Sequence, residues 1–215
     1  MRCNFFRKAA LFPRKAVPGV FCLCLAAFLL QAATVQAQQP AVTAQQIADH
    51  FSAIRRMTGR FVQIDARGNI VQGTFHLERP GKARFTYDDS PVTVVANGKS
   101  VVIYNKKLDT WSLYSLSQTP LQLLLADRID LQNSRILGFK QEPNVVSLLL
   151  ESKGKIRIEM IFDPKTLDLR EWSVIDRKNQ RTTVQLLETR TEGFVFGKGM
   201  FDIPAHRQSQ RSGLQ

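Results

Sequence analysis

Cysteine is scarce in this sequence, and the few cysteines all lie near its start. The 215 residues include three, Cys3, Cys22 and Cys24. If the first 37 residues are removed on export, the chain that remains has no cysteine. Its absence would exclude disulfide bonds, thiol catalysis and cysteine-ligated metals from the exported protein. A chain of roughly 180 residues does not need such crosslinks, because domains above roughly 100 residues bury a full core without them.

Acidic residues are also missing at the start, and this pattern predicts a secretory signal peptide. Five basic residues and no acidic residue precede Asp49. The apolar run over residues 20–30 is shorter than the ~20 residues that a membrane-spanning helix needs. Small side chains at Val35 and Ala37 fit a signal peptidase site. We predict a signal peptide over 1–37, a single soluble and unanchored domain over 38–205, and a polar tail over 206–215.

Histidine is nearly as rare, and no catalytic or metal-binding motif is present. His50, His76 and His206 share no metal-ligand spacing, and surface positions are expected for all three. The sequence has no nucleophile elbow and no phosphate-binding glycine loop. We therefore expect no catalytic residue, no metal site and no cofactor, so nothing favours an enzyme.

Basic residues exceed acidic ones, but their distribution does not predict nucleic-acid binding. Without the five basic residues of the signal peptide, 25 basic residues stand against 18 acidic ones, a net charge of +7. The two signs alternate along the chain, as in DLREWSVIDRKNQR. Such mixing is typical of a solvated surface, and charge of this kind affects solubility and partners rather than the fold.

The periodicity of apolar residues predicts one helix followed by a sheet. Thr43 and Gln46 form a capping-box pattern. Behind them Ile47, Phe51, Ile54 and Met57 recur at helical spacing, so we predict a helix to about Met57. From Gly59 the period changes to two. About ten alternating runs, separated by turn signals such as Asn97-Gly98, predict an antiparallel meander that curls into a barrel or a sandwich.

A second, shorter helix and a misplaced charge interrupt this alternation. Thr119 and Pro120 read as the N-cap and first residue of a short helix with an apolar stripe. In FHLERPGKARFTY, Arg79 falls on the same strand face as Phe75 and Leu77. Either the strand ends one residue early and Arg79 belongs to a turn, or a charge lies at the rim of an apolar interior.

The strands carry more large apolar side chains than two short helices need to cover. In an ordinary domain these side chains form a filled core, and base rates of burial give this interpretation about half of the weight. In a barrel closed by helical lids, the same side chains line a cavity for a lipid or another apolar ligand. The pattern alone does not separate the two interpretations.

The stretch LERPGKARFTY, taken with its neighbours, resembles the LolA family of periplasmic lipoprotein carriers. The matching pieces follow in order: MTGRFVQ, GTFHLERPGKARFTY, VVANGKSVVIYN, QTPLQLLLAD, MIFDPKTLDLREWSVIDRKNQRTTVQLLE and MFDIP. The resemblance implies an unclosed antiparallel β-barrel of about ten to eleven strands, covered by short α-helices that act as a lid. It also places the functional arginine of the family on Arg79, whose several donors would hold the lid by its backbone carbonyls.

The resemblance implies a non-catalytic carrier that shields the acyl chains of lipoproteins and ferries them from the inner to the outer membrane. Its expected partners are acylated lipoproteins, an inner-membrane lipoprotein-releasing ABC transporter and an outer-membrane receptor, and the protein is expected to be a periplasmic monomer. The residues assigned to the acyl cavity and lid are Arg79, Leu77, Phe75, Phe85, Tyr87, Trp111, Ile47, Phe51, Ile54, Leu121, Leu124 and Leu125.

Two alternatives from other classes stay open at this point. A regulatory protein that senses mislocalised lipids could use a similar half-barrel, although such proteins usually carry a second domain. A hydrolase of envelope lipids would need a nucleophile and a base, and no such pair is visible in the sequence.

Overall fold

A computed structural model describes residues 41–132, 134–151 and 156–203 of the chain. These residues all belong to one compact unit, Pro40–Gln215. The predicted signal peptide over 1–37 and polar tail over 206–215 lie outside the described residues.

The described residues form two short α-helices and eleven strands. A 3-10 turn, Leu116–Gln118, directly precedes the second helix. The elements are α1 Ala44–Ala53, β1 Arg56–Ile64, β2 Ile70–Glu78, β3 Lys82–Tyr87, β4 Val92–Asn97, β5 Ser100–Asn105, β6 Thr110–Ser115, α2 Leu121–Leu125, β7 Arg135–Glu142, β8 Val145–Glu151, β9 Arg157–Phe162, β10 Leu169–Ile175 and β11 Arg181–Arg190.

All eleven strands belong to one antiparallel sheet, in the order β6-β5-β4-β3-β2-β1-β11-β10-β9-β8-β7. Its two outer strands, β6 and β7, do not pair with each other in the described part of the chain, so the barrel is not closed. The predicted fold class, an unclosed antiparallel barrel with short helices, is confirmed.

The sheet is strongly curled. Phe85 on β3 and Trp172 on β10 are four strands apart, and in a flat sheet four steps of ~4.8 Å would separate them by ~19 Å. Their ring centroids are instead 6.1 Å apart. The concave face therefore closes on itself and encloses the main cluster of buried apolar residues, to which both helices contribute.

The first helix begins where the sequence predicts and ends earlier. Thr43 accepts a hydrogen bond from the Gln46 amide, and the Gln46 side chain bonds back to Thr43, which completes the capping box. The prediction that the helix runs to about Met57 was wrong. The helix ends at Ala53, Ile54 is extended, and Met57 is a buried residue of β1.

The second helix is also shifted by one residue from its predicted start. Pro120, predicted as the first helical residue, is the N-cap of α2, and Thr119 closes the 3-10 turn by donating to the Leu116 carbonyl. The apolar stripe is present, since Leu124 and Leu125 are buried and Leu121 packs against the core. The two helices supply the apolar cover of the concave face.

Candidate functional site

Arg79 connects the ends of the two helices. Its Nε donates to the carbonyl of Ile54, the C-cap residue of α1, at 3.0 Å. Its Nη1 donates to the carbonyl of Ala126, the C-cap residue of α2, at 2.8 Å. The last carbonyls of a helix lack partners within the helix and carry the negative end of its dipole, so a cation is favoured there.

The turn after β2 is built to place this side chain. The strand ends at Glu78, so Arg79 lies just past it, but the Arg79 amide still donates to the Arg55 carbonyl at 2.8 Å. The Gly81 amide donates to the Leu125 carbonyl at 2.8 Å. Gly81 has a φ of +77°, and a Cβ there would lie 2.7 Å from the Gly98 Cα, so both backbone shape and space require glycine.

Arg79 is buried in apolar surroundings. The residue is 4% exposed, and its guanidinium lies 4.1 Å from the centre of the Phe51 ring. Burial, aided by the positive charge of Arg55, lowers the pKa of Arg79 to about 10, while Asp127 acts in the opposite direction. Its Nη2 has no hydrogen-bond partner among the residues that the structure describes. The guanidinium still carries its charge at neutral pH, and carbonyl groups rather than a carboxylate hold it.

Further contacts hold the helices to the segment that follows α2. The Ser52 hydroxyl donates to the Ala48 carbonyl and accepts a hydrogen bond from the Ile129 amide at 3.0 Å. Arg55 forms an ion pair with Asp127 at 2.7 Å, but both side chains are about half exposed. Exposed ion pairs of this kind contribute little to the stability of the fold. The buried contacts of Arg79 and Ser52 are therefore stronger polar links than this exposed ion pair.

The space between the helices and the sheet is almost filled. A cavity of ≈ 10 Å³ remains there, which is close to the minimum for a single water molecule. Its wall contains no exposed polar surface and is formed by Phe51, Met57, Phe75, Leu77, Phe85, Leu121, Leu124, Leu125, Leu169, Trp172 and Leu186. The interior is thus a packed core in this structure.

The structure brings most of the predicted site residues together. Seven of them line the small cavity: Phe51, Phe75, Leu77, Phe85, Leu121, Leu124 and Leu125. Three others, Ile47, Ile54 and Tyr87, belong to the same apolar cluster without lining the cavity. Tyr87 donates to the Gln63 amide oxygen at 2.9 Å, and its burial raises its pKa.

Trp111 was placed wrongly. Pairing of β3, β4, β5 and β6 aligns Phe85 with Val94, Ile103 and then Ser112, so Ser112 shares the concave face. Trp111, the neighbour of Ser112, therefore lies on the opposite face, where its ring packs 4.3 Å from that of Tyr104.

Four residues of the cavity wall are missing from the predicted set. Met57 was assigned to the helix, and Leu169, Trp172 and Leu186 lie on β10 and β11, far along the chain from Arg79. Leu169 and Trp172 are three residues apart, which strict alternation would put on opposite faces of β10. A register shift between Leu169 and Glu171 brings both to the concave face, and the curl of the sheet places that face opposite α1 and α2. Sequence reasoning could have found Trp172 by its size alone.

The described residues show no arrangement suited to metal chemistry. In residues 41–132, 134–151 and 156–203, no group of three or more His, Cys, Asp or Glu side chains is placed to hold a metal ion. Within the same ranges, no helix has both the length and the apolar character needed to cross a membrane.

Comparison with known proteins identifies the family. The sequence model described as "Outer membrane lipoprotein carrier protein LolA" matches residues 52–203, more than half of the chain. The chain belongs to the LolA family. The match includes Arg79 and every element from the end of α1 onward.

The chain is also similar to curated relatives and to solved structures. An outer-membrane lipoprotein carrier protein of Azotobacter vinelandii is 30% identical, and the alignment covers 75% of this chain and 83% of the relative. The protein of the same name from Pseudomonas paraeruginosa is 29% identical, and the alignment covers 73% of this chain and 86% of the relative. Among solved structures, an uncharacterised conserved protein from Thermus thermophilus gives a TM-score of 0.48 at 12% identity, covering 76% of this chain and 95% of that one.

Proposed function

We propose that this protein carries lipoproteins across the periplasm and shields their acyl chains between the curled sheet and the two helices. An inner-membrane ABC transporter would load it, and an outer-membrane receptor would unload it. The carrier is not an enzyme in this proposal, because transfer needs only binding and release. The observation that carries the proposal is Arg79, which ties the ends of both helices together over an apolar interior.

The energetics of acyl chains explain why a lid is useful. Burying a chain is worth about 0.8 kcal/mol per CH₂, so one long chain contributes roughly 10 kcal/mol. A carrier that offered an open cavity would bind several chains too tightly to release them. Here the helices occupy the same apolar surface, and their side chains fill it. Cargo must displace them, and its net affinity is reduced by the stability of the closed state.

The bonds of Arg79 have the right strength to adjust this competition. Hydrogen bonds to a charged donor contribute about 1.5–3 kcal/mol each. Losing the bonds to Ile54 and Ala126 on opening would therefore lower cargo affinity by a few kcal/mol. That is large enough to favour release to a tighter receptor and small compared with the gain from burying the chains.

The test is direct binding of a defined ligand to the exported, processed protein. A fluorescent triacylated lipopeptide should form a stable complex in gel filtration. The same peptide without acyl chains should not. A protein that binds free phospholipid but not the lipopeptide would contradict the carrier proposal and favour a lipid sensor instead.

A further inference from the structure

The two free edges of the open sheet differ in a way that the carrier proposal does not explain. The edge strand β7, with the sequence RILGFKQE, has the features that protect an edge from pairing. It carries three charged residues and a glycine, and its register with β8 shifts between Ile136 and Gly138. Charges and bulges of this kind prevent another strand from adding to an edge.

The opposite edge strand, β6, has none of these features. Its sequence TWSLYS contains no charge, no proline and no glycine, and its register with β5 is regular from end to end. Leu113 and Tyr114 are 69% and 49% exposed and lie on opposite faces of the sheet. Threonine, tryptophan and tyrosine favour strands. In the described ranges of the chain, no strand pairs with the outer edge of β6.

The hydrogen-bond pattern shows which main-chain groups this edge presents. The Leu116 amide donates to the Lys99 carbonyl at 2.9 Å, which makes 99 and 116 a hydrogen-bonded pair. Such pairs alternate along antiparallel strands, so Tyr114 and Ser112 direct their main-chain groups to β5. The N–H and C=O groups of Leu113 and the N–H group of Ser115 consequently point outward, whereas the Ser115 carbonyl belongs to the N-cap of the 3-10 turn. An extended peptide is the ligand that satisfies this row of donors and acceptors.

Charges at the two ends of β6 restrict the partner further. Exposed Lys99 lies beside the end of β6 at Ser115, and exposed Lys106 and Lys107 lie in the turn that precedes Thr110, where Asp109 is the one acidic residue. We propose that the outer edge of β6 binds an extended strand of a partner protein, uncharged in the middle and acidic at its ends. The partner strand would pair with β6, which in the sequence directly precedes the buried Leu116 and the helix α2.

The experiment uses a peptide probe and the exported, processed protein. The probe is a fluorescent Glu-Thr-Val-Thr-Val-Thr-Glu peptide with blocked ends. The control peptide has the same sequence with every central amide methylated, so it cannot donate main-chain hydrogen bonds. Fluorescence anisotropy should show at least about tenfold tighter binding of the probe, a difference of ~1.4 kcal/mol. Equal binding of the two peptides, or no binding of the probe, would overturn the proposal.

A pair of variants tests the assigned strand. Leu113→Pro removes an outward N–H and leaves the bonds to β5 intact, which an edge strand tolerates. It should weaken probe binding at least fivefold, whereas Leu113→Thr, which keeps the N–H, should change it less than twofold. Equal losses in both variants would contradict main-chain pairing. If Leu113→Pro does not fold, amide exchange in the wild type decides, since the probe should slow exchange at Leu113 and Ser115.

A second copy of this chain is the alternative occupant of the β6 edge, and the oligomeric state of the protein tests it. Sedimentation equilibrium of the chain alone should show a monomer. A dimer that Leu113→Pro abolishes would mean that a second copy of this chain covers β6, and it would overturn the assignment to a partner protein. The cavity wall contains no residue of β6. A negative result for the β6 edge therefore does not contradict lipopeptide binding, and the two proposals can fail separately.

Discussion

Arg79 is a buried cation whose guanidinium donates to the C-cap carbonyls of the two helices. A carboxylate partner within the sheet would hold the guanidinium whether the lid was open or closed. In the proposed function, the carbonyls of Ile54 and Ala126 hold the guanidinium only while both helices lie over the cavity. We therefore expect the charge to stabilise the closed state specifically and its contribution to be lost on opening.

Replacing Arg79 should trap cargo on the protein. Arg79→Leu removes both bonds and leaves the cavity more apolar, so the open, loaded state gains relative to the closed one. The variant should take up lipoprotein from inner-membrane vesicles as well as wild type and transfer it to outer membranes several-fold more slowly. Arg79→Lys should be intermediate, because one ammonium group cannot reproduce the forked contact.

Arg84→Leu is the matched control for this assay. Arg84 also donates to a carbonyl, that of Met200 at 3.2 Å, but it lies on the convex side of β3, away from the helices. Its loss should leave both steps of the assay unchanged. Equal defects in the Arg79 and Arg84 variants would show that the loss of any arginine slows transfer.

His76 should make stability depend on pH. Burial, and then the charge of Arg84, lower the pKa of His76, whose ring contacts the Thr58 hydroxyl at 2.8 Å. As pH falls through about 6.5, the ordinary pKa of histidine, the unfolded chain takes up this proton before the folded one does. Stability should therefore fall as pH decreases from about 7 to 5.

The His76→Gln variant isolates this contribution, since both proteins share the same carboxylates. Urea unfolding at several pH values should give a smaller loss of stability for His76→Gln than for wild type over that interval. Parallel pH profiles for the two proteins would mean that His76 titrates alike in the folded and unfolded states.

At the scale of elements, α1 depends on a buried hydroxyl. Ser52→Ala would leave the Ile129 amide without its acceptor, and Ile129 is itself buried. An unsatisfied buried donor costs about 1–3 kcal/mol, which urea unfolding should detect. Ser112→Ala, on the exposed strand β6, should change stability by less than ~0.5 kcal/mol. A Ser52 variant as stable as the Ser112 variant would rule out this tie between α1 and the segment after α2.

The strand β2 needs glycine at position 73, where it passes close to its neighbours. A Cβ at Gly73 would lie 2.8 Å from the Phe61 ring and would overlap the Thr86 carbonyl. Gly73→Ala should cost about 1–3 kcal/mol through overpacking. Gly138→Ala on β7 is the control, because its nearest contact, the Leu149 Cβ, would be at an ordinary 3.8 Å. Equal thermal melting temperatures for the two variants would contradict this difference in space.

The elements themselves were largely predictable, and their boundaries were not. The capping box fixed the start of α1 because its signal is local to Thr43 and Gln46. Its end was missed because Ile54 and Met57 continue the helical spacing, while Met57, Gly59 and Phe61 equally begin a strand period. Trp111 was misplaced for a related reason: both faces of β6 carry large side chains, and only pairing with β5 decides which face is concave.

At the scale of the whole molecule, the sequence left a filled core and an open cavity equally acceptable. The same apolar residues serve both, and the difference lies in how closely the helices approach the sheet. In the closed arrangement the space is reduced to ≈ 10 Å³. The resemblance to the LolA family supplied the arginine and the lid, but the volume between lid and sheet is a property of packing that no residue pattern records.

The central claim is that cargo enters by displacing the helices, and amide exchange tests it most directly. The amides of Gly81 and Ile129 each donate to the lid, to the Leu125 carbonyl and the Ser52 hydroxyl. Binding of a triacylated lipopeptide should make both exchange faster, while amides of the β10–β11 ladder keep their protection. A stoichiometric complex in which Gly81 and Ile129 stay as protected as in the empty protein would contradict the account.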